Sequence, residues 1–198
     1  MLFPTIALLG LALNVAAHGA ITGIGGGAKG VAVNGFGVKN AAKPTNSDVE
    51  VLSSKTGCGS GTNIATSITA AEAAGLPSPA ADGSLSMTWF QINAGSDGAG
   101  PGTAFIDVTG TGNSFAPLTI SKNFADGGAN SKNPMTVQLS TSTACTGGAG
   151  STCLLRVQNS AGPFGSCFAV KSPAAGKKQR SLDATLSRMA RKLRRNPF

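Results

Sequence analysis

His18 is the only histidine in this 198-residue chain, and it stands directly after Ala16 and Ala17, two small residues that close an apolar run from Phe3 to Val15. Cleavage between Ala17 and His18 would put a free amine and an imidazole on one residue. Nitrogen donors of this kind suit copper, and together they make a bidentate ligand. A carboxylate such as Asp97 or Asp107 is the further donor the chain can offer.

Other chemistries are excluded by what surrounds their residues. "GGGAKG" (Gly25 to Gly30) matches GxGxxG, yet it lies too close to the expected mature start for a βαβ unit to enclose it. There is no GxxxxGK[ST] and no GxSxG, and His18 would have to serve as the base of any Ser-His-Asp triad. Carboxylates are few, and nothing marks two of them as an acid/base pair. Cys58, Cys145, Cys153 and Cys167 are spaced unlike zinc ligands, and in an oxidising compartment an even number of cysteines reads as two disulfides. Sequence leaves their connectivity open, although Cys145 with Cys153 would close a short Gly-rich loop and leave Cys58 for Cys167.

The elements that must position these residues are short. Residues 1–17 read as a signal peptide with an apolar core and a small-residue cleavage site, too short to span a bilayer, so the mature chain is expected to be secreted. Six runs carry alternating or β-branched character: Ser84 to Asn93, Thr103 to Thr109, Pro117 to Ser121, Met135 to Ser140, Cys153 to Asn159 and Ser166 to Lys171. That pattern predicts an all-β antiparallel sandwich stapled by disulfides, with long Gly-rich loops, over residues 18–175. One short helix is expected at Ser67 to Gly75, Ala-rich and ending on glycine.

Residues 176–198 form a basic tail. From Lys177 onward eight Lys or Arg stand against Asp183 alone, giving +7 of the formal +8, so the body is nearly neutral. Such a body, with no tyrosine and with Trp89 as its one tryptophan, excludes a nucleic-acid-binding domain. Leu182, Leu186, Met189 and Leu193 fall on one helical stripe, which predicts a basic amphipathic helix able to lie on an anionic membrane or wall surface. "KKQR" at Lys177 to Arg180 reads as a dibasic processing site in exposed linker that would remove it, and this reading is preferred.

Gly83 to Pro101 ("GSLSMTWFQINAGSDGAGP") and Cys153 to Val170 ("CLLRVQNSAGPFGSCFAV"), with "GCGSGT" at Gly57 to Thr62, resemble the Egh16-like family of secreted fungal virulence factors, the Gas1/MAS-type appressorial proteins. The resemblance runs from Gly57 to about Lys171 and is most specific at the Gly98 to Pro101 turn and at Ala161 to Cys167. It implies an extracellular protein tied to infection structures or the cell wall.

The family's His-Gly mature start is also similar to that of lytic polysaccharide monooxygenases, copper enzymes on an immunoglobulin-like sandwich. Their brace adds a second imidazole to the amine and imidazole of the first residue. In this chain Phe90 stands where relatives carry a histidine before the Gln of the strand, and no tyrosine is present for an axial position. The preferred reading is therefore a non-catalytic protein that binds a polysaccharide such as chitin or another host-surface polymer. Trp89, Phe90 and Asp97 are the candidate contacts, the rings stacking on sugars. Trp89 also lies at period 2 with Leu85 and Met87, which marks it for the core. The alternative is a copper-dependent monooxygenase-like enzyme with a degenerate brace at His18.

Overall fold

The computed structural model describes residues 18–25, 34–52, 57–95, 98–159 and 162–173. The expected signal segment, Asp97 and the basic tail lie outside them. Among the described residues, eight strands and one α-helix run in the order β1 (Gly19–Ile24), β2 (Glu50–Val51), α1 (Ile64–Ala74), β3 (Ser84–Gln91), β4 (Gly102–Asp107), β5 (Ala116–Lys122), β6 (Ser131–Gln138), β7 (Thr152–Asn159) and β8 (Phe164–Lys171), with a 3-10 turn at Asn46–Asp48 before β2.

Period-2 alternation builds the sheet as expected. On β3, Leu85, Met87 and Trp89 are buried while Ser86 and Thr88 point outward. Every pairing is antiparallel, and the strand order is β1-β3-β6-β5-β4-β7-β8-β2. β5 pairs with β6 on one side and β4 on the other, so the two layers are halves of one curled sheet. The halves close on a core of Ile21, Trp89, Val137, Leu155 and Phe168, among others. Where the edges meet, the Ile21 amide donates to Ser166 Oγ at 3.1 Å.

α1 covers the outer face of the second half, burying Ile68 and Ala71 against Leu154, Cys167 and Ala169. It begins three residues before the expected start, because Asn63 caps it by accepting from the Thr66 amide at 3.1 Å. Cys58 pairs with Cys167 and Cys145 with Cys153. β6 starts well before Met135 and runs through Pro134. At Pro134 its one neighbour is β3, since pairing with β5 begins only at Thr136, so the missing proline N–H leaves no ladder bond unmade.

Candidate functional site

Antiparallel register brings His18 to the end of β3, where its carbonyl accepts from the Ile92 amide at 2.9 Å. Its ring lies 5.3 Å from that of Phe164, tilted by 36°. Asn93 Nδ2 donates to His18 Nδ1 at 3.2 Å. Nδ1 is the ring nitrogen that would chelate together with a terminal amine, so Asn93 occupies the direction a metal would take.

Gln91 is fully buried one step away. Its Nε2 donates to the Asn93 carbonyl at 2.9 Å and to Asp126 Oδ1 at 2.8 Å, while its Oε1 accepts from the Gly127 amide at 3.0 Å. The Gln91 bond, joined by one from the Gly128 amide, holds the Asp126 carboxyl below the usual carboxylate range. Among the described residues no group of three His, Cys, Asp or Glu side chains could hold a metal ion. His18, Asn93, Gln91 and Asp126 thus form a clasp that ties the residue before β1 to the 126–128 loop. None of these contacts pairs the imidazole with a carboxylate or a nucleophile.

Trp89 is completely buried and stacks on Phe124, with ring centroids 4.5 Å apart and planes 11° from parallel. Its indole Nε1 donates to the Gly98 carbonyl at 3.0 Å. Phe90 is buried as well, opposite Ala20 and Lys132. Neither ring offers a face to a sugar, which corrects the stacking role expected of them and leaves Trp89 in the core position its periodicity indicated. The Gly98 to Pro101 turn has a packing cause. A Cβ at Gly100 would collide with the Phe124 carbonyl and one at Gly102 with its ring, so the glycines form the cradle that seats Phe124 on Trp89.

Asp107 lies at the other end of the sheet. Phe164, beside His18, is level with the Gly102 end of β4, and Asp107 is five residues further along that strand, about 17 Å at the rise of an extended chain. Its oxygens are taken by Thr109 N at 2.8 Å, Thr109 Oγ1 at 2.6 Å and Gly112 N at 2.7 Å. It therefore cannot join His18 as a ligand. Burial pushes its carboxyl up, and the bonds from the 109–114 loop more than offset this, leaving it lowered.

A carboxyl lowered on folding stabilises the fold fully above its unfolded pKa, about 3.9, and loses that contribution as pH falls through the folded value. Asp107→Asn is accordingly expected to cost about 1.5–3 kcal/mol at neutral pH, the range for hydrogen bonds to a charged group. Thermal melts of both proteins from pH 7 to pH 2 should show that difference shrinking below about pH 4. A gap that stays constant down to pH 2 would mean that the charge contributes nothing.

The sequence assigns no site role to Gln91, Asn93, Asp126 or Phe164 on its own. The signal for Gln91 was present: it shares the parity of Leu85, Met87 and Trp89, and a polar side chain on a core face must find partners.

A family model described as Egh16-like virulence factor matches residues 16–165 of this chain. Two curated sequences from Pyricularia oryzae, each named appressoria-specific virulence factor GAS2, are 35% identical to it over 149 residues, covering 67% of this chain and 50% of theirs. The chain spans about half the length of these curated relatives. No solved structure matches it significantly.

Proposed function

Because the chain belongs to the Egh16-like virulence-factor family, we propose that it is an extracellular, infection-associated fungal protein that binds polysaccharide at the cell wall or host surface without catalysis. The appressorial relatives support the setting, and two disulfides fit an oxidising compartment.

The observation that carries polysaccharide binding is the outer face of the first half-sheet. Ser84 opposes Gln138, which opposes Thr119, and Ser86 opposes Thr136, with Thr88 next along β3. These side chains are exposed or half-buried, and they form rows of uncharged hydroxyl and amide groups, bordered by Lys122, in register with Thr136, and by Lys132 beside Thr88. Such a face suits a neutral, hydroxyl-rich polymer through many weak hydrogen bonds, each about 0.5–1.5 kcal/mol, in place of ring stacking.

Copper chemistry lacks support from the donors. One histidine cannot supply two imidazoles, Asn93 engages its Nδ1, and Asp107 is remote and saturated. The residues do not fit a histidine brace.

Depletion onto insoluble chitin tests the reading. Ser86→Lys with Thr119→Lys puts two ammonium groups on exposed positions of the ladder, where substitutions change stability little. Retention is expected to fall about tenfold, the loss of one or two good hydrogen bonds. Copper and a reductant added to the wild-type protein on chitin are expected to release no oxidised oligosaccharide. Unchanged retention would remove the ladder as the contact, and copper-dependent oxidised products would replace binding with catalysis.

A further inference from the structure

Arg156 is a cation set into the opposite half of the sheet. It alternates on β7 with the core residues Leu155 and Val157, so its side chain lies on the outer face. Its guanidinium carbon sits 5.1 Å from the ring centroid of Phe105 and 5.3 Å from that of Phe115. Described residues take two of its donors: Nε bonds Gln158 Oε1 at 3.1 Å and Nη1 bonds the Gly57 carbonyl at 3.1 Å. A guanidinium has five N–H donors in a planar fork. Among the described residues no carboxylate forms an ion pair with it, and burial lowers its pKa with no acidic group opposing the shift.

Thr103 stands in register with Gln158, two residues before Phe105 on the same face. Its Oγ1 is buried and has no hydrogen-bond partner among the described residues. Among the described residues, a partly buried cation without a counter-charge and a buried hydroxyl without a partner each carry a free-energy cost. The two lie together beside two half-buried rings, so a single ligand with a carboxylate and hydroxyl groups could satisfy both. Bonding Gly57 alone would explain one donor of the guanidinium and leave both costs standing.

We propose that Arg156, Phe105, Phe115, Gln158 and Thr103 form a binding site for a uronate residue of an acidic polysaccharide. The sugar carboxylate takes the open edge of the guanidinium fork, as planar carboxylates do. Its apolar ring face rests on the phenylalanines, and the Gln158 amide and Thr103 hydroxyl meet sugar hydroxyls. This site lies on the other half-sheet from the Ser84–Thr119 ladder and takes a charged ligand, so it extends beyond the neutral-polymer reading and stands or falls separately.

The test titrates a short oligogalacturonate into the full secreted protein by calorimetry, beside the same oligomer with its carboxylates methyl-esterified. Saturable binding is expected for the acid, with the ester about tenfold or more weaker because shape is kept and charge removed. Arg156→Lys keeps the cation but loses the fork and should also weaken binding about tenfold. Should Arg156→Lys fail to fold, the comparison of acid with ester on the wild-type protein still decides, as does Gln158→Ala, expected to bind the acid several-fold more weakly. Absence of saturable binding, equal affinity for acid and ester, or an unchanged Arg156→Lys overturns the site. Tighter binding of a peptide with a free C-terminal carboxylate than of the oligogalacturonate overturns the saccharide assignment.

Discussion

Cys58→Ala with Cys167→Ala is expected to destabilise the protein by about 4–5 kcal/mol, against about 2.5 kcal/mol for Cys145→Ala with Cys153→Ala. Chain entropy sets the order. The first bridge closes a loop with a sequence separation of 109 and the second one of 8, and the entropy removed from the unfolded chain rises with the logarithm of that length. Contacts in the folded state add to the difference. Cys58 and Cys167 are both buried in the cluster beneath α1, with Leu52, Ile68 and Leu154. Gly57, next to Cys58, accepts the Arg156 bond and packs against Gly112, so releasing Cys58 frees the segment that anchors the outer layer. Denaturant melts of the two double variants check this, and equal losses would show that local packing of the Cys145 loop outweighs loop length.

What could be read from the chain depended on whether its signal was local. The alternation Leu85-Met87-Trp89 is local, so β3 and its buried face were legible; β7 and β8 were legible as apolar strand runs, although both faces of β8 are buried from Gly165 to Val170. β1 was not, because "GAITGI" has little alternation of its own; it is a strand because β3 offers it a partner edge and Trp89 a surface. The start of β6 was hidden by Ser131, Lys132, Asn133 and Pro134, which taken alone read as a turn. For the site, type and position pulled apart. His18 stood out by being unique, but its neighbours Asn93 and Phe164 lie 75 and 146 positions away and meet it only through the register of two strands and the closing of the sheet. Arg156 was passed over for the same reason, since nothing within β7 announces that Phe105 and Phe115 flank it.

The His18-Gly19 dipeptide, which reads first as a metal-binding start, carries its clearest constraint at the glycine. A Cβ at Gly19 would collide with the six-membered ring of Trp89. That indole cannot retreat, because it is stacked on Phe124 and its Nε1 is bonded to the Gly98 carbonyl, while Phe124 is itself fixed between Gly100 and Gly102. Gly19→Ala is therefore expected to cost at least about 1–3 kcal/mol, the usual range for overpacking, and Trp89→Ala about 3–5 kcal/mol through the cavity it leaves. The two changes should not add. Once the indole is gone the methyl has room, so the double variant is expected to be no less stable than Trp89→Ala alone, a coupling of at least about 1 kcal/mol. Strict additivity in denaturant melts would place the strain of Gly19→Ala in the backbone and not against the ring. If coupling is found, the glycine after His18 is explained by packing against Trp89 and ceases to be evidence for copper.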